Sequence, residues 1–427
     1  MASLTAMTQR ATVRRRRLAF GAMIAVVVIS GAWAFARTDR GEAAHPASLA
    51  PPRSPAATQP APSGAADPSA AMPDAWLAWI TGSLPPGTET KVAATPQLGT
   101  TVVVAGDTRW MTSSHDDHGK VVDQPTPPYA IPIDAFSVDP AAYAPFVPEN
   151  VRDEVTRALR SGEAVLGTSS ARLRHLTVGG SMTFGTRTVQ VGAVVPDPVA
   201  GWSELLVSRS VGRSLGIVDD RYLLAEPPGT MTFARFGSIM HRIIPGVPIR
   251  MLPPGGSTYM RIASGVNPPI VMKEVFGEFS AYPQTADPAY LNVDPHWYDA
   301  HIVTRTVPIL GAVTCNRALF PMLIGALTDV QRAGLGNELH VYSGCYAART
   351  VARSPTAPPS QHAYGAAIDI NAPENPYGAQ PTMDPRIVRI FEKWGFLWGG
   401  RYLTPDGMHF EYGSQPTAGQ GSSQGNG

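Results

Sequence analysis

The chain has 427 residues, with 34 lysines and arginines against 33 aspartates and glutamates. A near-neutral balance with no long basic tract beyond the N-terminus excludes nucleic acid as an expected partner. The length accommodates two domains of ordinary size plus tails.

In chain order, a basic segment over residues 1–17 ends in Arg14-Arg15-Arg16-Arg17, and an apolar run follows from Leu18 to Ala36. About 19 residues at a 1.5 Å rise just cross a hydrocarbon core of roughly 30 Å. The arginines in front predict a cytoplasmic N-terminus with everything after Ala36 outside. Ala34-Phe35-Ala36 also fits a cleavage site, so a removable signal peptide and a secreted product compete with a single-pass anchor; the run is long for a signal core. Either way the bulk of the chain is expected outside the cytoplasm. Residues 37–73 are Pro, Ala and Ser with few large apolar side chains, and predict an extended tether.

Residues 74–265 carry short apolar runs broken by Gly and Pro. Val102–Ala105 and Thr188–Val195 predict strands and Val151–Leu159 a short helix, giving a mostly β domain. The stretch from Gly162 to Asp197 resembles extracytoplasmic domains of export-type transporter permeases. That resemblance implies a docking module with a membrane-protein partner. His115-Asp116-Asp117-His118 reads as a solvated turn rather than a metal site.

Residues 266–413 are punctuated more clearly. Asn316 predicts the cap of a helix whose Leu319, Leu323, Ala326, Leu327 and Val330 share one face, ending at Gly334. A strand follows at Leu339–Tyr342. Asp384-Pro385 starts a second helix with Ile387, Ile390, Phe391 and Trp394 inward and Gly395 as its stop; Met408–Tyr412 is the last strand. This predicts an α+β domain, a small, mainly antiparallel sheet with flanking helices. Residues 414–427, rich in Gly, Ser and Gln, predict a disordered tail. Cys315 and Cys345 predict one disulfide in an oxidising exterior, closing a loop of about 30 residues for roughly 3 to 4 kcal/mol. Two small buried thiols are the other reading, and metal ligation is excluded because no Cys-x-x-Cys pair exists.

The chemistry concentrates in Ser360-Gln361-His362-Ala363-Tyr364-Gly365-Ala366-Ala367-Ile368-Asp369 and Asp406-Gly407-Met408-His409-Phe410-Glu411. His362, Asp369 and His409 offer two imidazoles and a carboxylate, the set that holds a catalytic zinc while leaving a position open for water. Strand periodicity puts Asp369 on the cavity face and Ile368 and Ile370 in the core. Asp406 is the candidate base, the other reading being a plain turn aspartate in Thr404-Pro405-Asp406-Gly407, and Glu411, two residues after His409, either hydrogen-bonds that ligand from behind or faces solvent.

The pattern Ser-x-His-x-x-Gly-x-Ala-x-Asp, then Trp-Gly-Gly, then Asp-x-x-His-Phe-Glu, resembles the M15 zinc peptidases, D-alanyl-D-alanine carboxypeptidases and related endopeptidases. The resemblance implies Zn2+ on His362, Asp369 and His409, Asp406 as the catalytic acid/base, and the stem peptides of peptidoglycan as substrate. A substrate carboxylate calls for an arginine fork. Many relatives place it directly after a Gly-Tyr pair, whereas this chain reads Gly344-Cys345-Tyr346-Ala347-Ala348-Arg349; Arg349 is the first choice and Arg353 the second. Ser360 either touches the substrate or orders its loop. The alternative function is a non-hydrolytic, zinc-containing wall-binding or membrane assembly protein.

Overall fold

The computed structural model describes residues 72–253, 260, 266–354 and 357–414. The expected membrane segment at 18–36, almost all of the 37–73 tether and the tail from 415 onward lie outside the described residues. Among the described residues no helix is long and apolar enough to cross a membrane.

The first part of the described chain is built on an eleven-stranded sheet running from Arg250–Leu252 at one edge to Val121–Asp123 at the other. Its longest strand, Thr100–Met111, pairs antiparallel with Ile131–Val138 and with Asp220–Glu226. Ile131–Val138 and Leu205–Ser208 run parallel, as do Ala164–Gly167 and Arg187–Val195, so the sheet is mixed. The expectation of a mostly β domain needs correction, because helices Glu149–Arg160, Thr168–Leu173, Arg209–Leu215 and Phe233–Ile243 belong to the same segment. The last of these is amphipathic by its own sequence: Phe236, Ile239, Met240 and Ile243 recur at helical spacing and are buried. Its cap is Thr232, whose hydroxyl accepts from Arg235 N at 3.2 Å.

After residue 266 the apolar core is a separate cluster drawn from Met272 to Tyr412. Helix Phe320–Arg332 buries Leu323, Ala326, Leu327 and Val330 as expected but starts four residues past Asn316. The Asn316 side chain caps the preceding turn instead, accepting from Ala318 N at 3.0 Å, while its amide donates to Phe276 O. Helix Pro385–Lys393 is capped by Asp384, which accepts from Arg386 N at 2.7 Å. Gly395 ends it with φ +89°, where an added Cβ would lie 2.0 Å from Ser414 O, so only glycine fits.

A four-stranded antiparallel sheet, ordered Tyr342–Gly344, Ala367–Ile370, His409–Tyr412, Phe396–Trp398, carries the candidate site. The strand expected at Leu339–Tyr342 begins only at Tyr342. Before it, the amides of His340 and Val341 donate to Asn371 Oδ1 at 2.8 and 3.0 Å rather than to a neighbouring strand. Cys315 and Cys345 are joined as a disulfide with Cα atoms 5.5 Å apart.

All described residues fall in one compact unit. The sheet segment and the C-terminal segment meet at buried charges: Lys273 Nζ lies 2.8 Å from Glu204 Oε1 and 2.8 Å from Glu278 Oε1, with Arg174 completing the group. Removing one member strands an uncompensated charge in the interior. Lys273→Ala is therefore expected to lower the unfolding free energy by about 3–5 kcal/mol in urea titration. An unchanged midpoint would contradict this interface.

Candidate metal centre

His362 sits in the short helical turn Gln361–Tyr364. The chain enters it through Ser360, whose hydroxyl is buried and accepts from His362 N at 3.3 Å. It leaves through Gly365 at φ +64°, where a Cβ would meet Asn316 N at 2.5 Å. The tight turn aims the imidazole at the sheet. Asp369 and His409 are brought there by strand register, since they stand directly opposite each other on neighbouring antiparallel strands.

Three atoms converge. His362 Nε2 is 3.2 Å from Asp369 Oδ1, His409 Nδ1 is 3.0 Å from the same oxygen, and the two ring nitrogens are 3.2 Å apart. The outward nitrogens are already engaged. His362 Nδ1 lies 2.7 Å from Cys345 O, and His409 Nε2 lies 2.9 Å from Glu411 Oε2. A carbonyl and a carboxylate can only accept, so each outward nitrogen carries a hydrogen and each inward nitrogen is the one left to take a further proton or to ligate. Two lone pairs and a carboxylate oxygen packed this closely repel unless a proton or a metal cation lies among them. Bonds of about 2.0–2.1 Å to a tetrahedral zinc would separate neighbouring ligand atoms by about 3.3 Å, so the donor set and its spacing fit such an ion. Among the described residues this is the one group with ligand atoms gathered for a metal.

Electrostatics agree with a site that favours positive charge. Burial opposes the charged form of His409, yet the flanking Asp369 and Glu411 carboxylates outweigh it and push its pKa up to about 10. Burial raises the Asp369 carboxyl, and hydrogen bonds from His362 and His409 more than reverse this, holding it well below the usual carboxylate range.

Asp406 lies in the turn before the last strand, with its N donating to Gly399 O at 2.9 Å and its carbonyl accepting from His409 N at 3.2 Å. Its Oδ1 is buried and has no hydrogen-bond partner. Burial lifts its pKa above the ordinary value; His409, His362 and Arg349 pull the other way, and Asp369 adds to the rise. A carboxylate with an idle buried oxygen beside three convergent ligands is equipped to take a proton.

Arg349 is half-buried and exerts its charge on Asp406, so it lies on the side of the site. Arg353 is exposed. The Ser360 hydroxyl is occupied in ordering the His362 turn. Arg401 pairs with Glu392 at 2.6 Å. His115 ends the strand Ser113–His115 and is half-buried, and the exposed turn at Asp117 and His118 follows, with Asp116 Oδ1 accepting from His118 N and Lys120 N.

Three contributors were not singled out from sequence. The Cys345 carbonyl orients His362, and a backbone acceptor leaves no residue-type signal. Gly399 packs against the site so closely that a Cβ would lie 2.7 Å from Asp406 O and 3.1 Å from His409 Cβ; the Trp-Gly-Gly motif was its signal. Tyr402 stands beside the His409 ring, tilted to it by 55° with centroids 6.3 Å apart.

Residues 353–412 match the model of an M15 peptidase family described as D-alanyl-D-alanine carboxypeptidase. That stretch holds His362, Asp369, Asp406, His409 and Glu411, and it supports a peptidase in the C-terminal segment. No curated protein matches the chain. Among solved structures, the periplasmic region of MacB from Actinobacillus actinomycetemcomitans is similar over 44% of this chain and 92% of its own, at 8% identity and a TM-score of 0.31, too slight a likeness to build on.

Because a proton occupies His409 up to about pH 10 when no metal is present, metal uptake at neutral pH must displace it. The sign follows: affinity rises with pH below that value and levels above it. Calorimetric titration of the metal-free chain with zinc at pH 7, in buffers of different ionisation enthalpy, should report release of about one proton per ion. Buffer-independent heats would contradict the arrangement.

Proposed function

We propose that this chain is a zinc-dependent peptidase that hydrolyses peptide bonds in peptidoglycan stem peptides, in the manner of a D-alanyl-D-alanine carboxypeptidase. The observation that carries the reading is the pairing of three convergent ligand atoms, each ring fixed from behind, with Asp406 and its idle buried oxygen alongside. The family match over 353–412 supports the substrate class.

Zinc held by His362, Asp369 and His409 would supply the Lewis acidity that makes water nucleophilic near neutral pH and polarises a carbonyl. The chain's own residues do the rest. Asp406 takes the proton from the attacking water and returns it to the leaving amine, so one carboxylate serves both halves of the reaction. Its raised pKa suits it to the second task without removing it from the first. Glu411 and the Cys345 carbonyl hold the outward nitrogens of the two rings and so orient both imidazoles inward. Arg349 grips the carboxylate of the stem terminus with its planar fork.

The same reading places the enzyme outside the cytoplasm on an N-terminal tether. The basic and apolar segments ahead of residue 37 support this, and the Cys315–Cys345 disulfide fits an oxidising compartment. The sheet segment is then the part available to a membrane-protein partner.

Mass spectrometry of muropeptides incubated with the zinc-loaded chain should reveal release of the terminal residue. Asp406→Asn should keep its metal yet lose about 10²–10⁴-fold in kcat, together with the acid limb that deprotonation of Asp406 gives the pH profile. Arg349→Ala should raise KM about tenfold or more while leaving metal content alone. No cleavage by the zinc-loaded chain, or an Asp406→Asn variant as fast as the parent, would reject the proposal.

A further inference from the structure

A second constellation of ionisable groups lies apart from the metal ligands and takes no part in the chemistry above. Arg174 and Glu204 come from the sheet segment, Lys273 from helix Pro269–Phe276, and Glu278 from the loop just after that helix. The side chains of Arg174, Glu204 and Lys273 are almost wholly inaccessible, and that of Glu278 is 15% exposed. Arg174 Nη2 bridges Glu204 Oε1 at 2.6 Å and Glu278 Oε1 at 2.5 Å, and Lys273 Nζ bridges the same two carboxylates at 2.8 Å each. Two positive and two negative charges cancel. Further partners surround the group: Lys273 donates to Pro132 O, Glu204 Oε2 accepts from Asp134 N at 2.8 Å, and Arg174 Nη1 donates to Ser170 Oγ at 3.2 Å, while Arg174 Nε has no partner.

Buried ion groups of this kind are weak sources of stability, since apolar residues of similar volume often serve as well. What they do supply is geometry, because each partner tolerates one arrangement. Here the geometry leads to His362 by two routes. Tyr364, in the same short turn, is buried with no hydrogen-bond partner for its hydroxyl, and its ring packs on Phe279 at 4.9 Å, beside Glu278. Helix Pro269–Phe276, which carries Lys273, ends at the Phe276 carbonyl that accepts from Asn316 Nδ2 at 3.1 Å; Asn316 N in turn donates to Gly365 O at 3.0 Å. Gly365 is the exit of the His362 turn. The sheet segment also touches the base-bearing side, through Thr81 Oγ1 to Thr404 Oγ1 at 3.1 Å and Arg250 Nη2 to Arg401 O at 3.0 Å.

We propose that Arg174, Glu204, Lys273 and Glu278 are positioning residues for the metal centre, so that the sheet segment is a working part of the catalytic unit and holds the Gln361–Tyr364 turn where His362 can ligate. The inference rests on the ligand role proposed for His362.

The test uses the full chain and cobalt(II) as a spectroscopic probe. Arg174→Met combined with Glu204→Gln removes one charge of each sign and leaves Lys273 paired with Glu278. The expected results are an approximately tenfold weaker cobalt affinity, displaced d–d bands, and faster amide exchange across Gln361–Ala366. Leu206→Ala, in the sheet core, serves as a control that lowers stability without touching the network, and should leave all three readouts alone. Parent-like affinity, bands and exchange in the double variant would overturn the proposal and reduce the quartet to an interface contact. If the double variant does not fold, Glu278→Gln at the rim is read the same way, with the same directions expected and a parent-like result equally fatal. If the parent chain itself binds no cobalt, the proposed function fails; the exchange measurement then still decides whether the quartet positions the turn.

Discussion

The candidate site depends on a single strand register. Asp369 and His409 face each other across neighbouring antiparallel strands, and slipping that pairing by one residue would turn one of them toward the core and leave His362 without a companion. The register is held on the opposite face by Ile368, Ile370 and Phe410, all fully buried. The apolar side of the strands thus fixes where the polar side presents its ligands. Glu411 follows from the same periodicity, reaching the outward nitrogen of His409 from two residues along.

Much of the site was legible because its chemistry is written in short segments. His362 and Asp369 lie on one turn-and-strand unit, and Asp406, His409 and Glu411 on another, so residue type and spacing sufficed to nominate them. The parts that escaped are those carried by backbone or by missing atoms. The Cys345 carbonyl has no signature in residue identity, and the value of Gly399 lies in the side chain it lacks. Capping was half legible: Asn316 does cap, but it caps a turn, and the helix waits until Phe320. The Asn371 side chain, by occupying the amides of His340 and Val341, delays the following strand in a way no local pattern foretells.

The sheet segment was the harder reading. Its strands showed in short apolar runs and helix Glu149–Arg160 in Val151–Leu159, whereas the other helices did not show, although Phe233–Ile243 carries a plain amphipathic repeat. The buried quartet was beyond reach, since Arg174 and Lys273 meet only once two distant stretches have folded together. Nothing near either residue in the chain distinguishes it from a solvated surface charge. Long-range electrostatic matching of this sort ties the sheet segment to the segment that carries the candidate metal centre.

X-ray absorption at the zinc edge of the purified, zinc-loaded chain tests the central claim most directly. Two imidazole nitrogens and one carboxylate oxygen at about 2.0–2.2 Å, with one further light ligand and no sulfur, are the expected first coordination sphere. A chain that retains no zinc, or a spectrum with sulfur or a single imidazole in that sphere, would contradict a centre built from His362, Asp369 and His409.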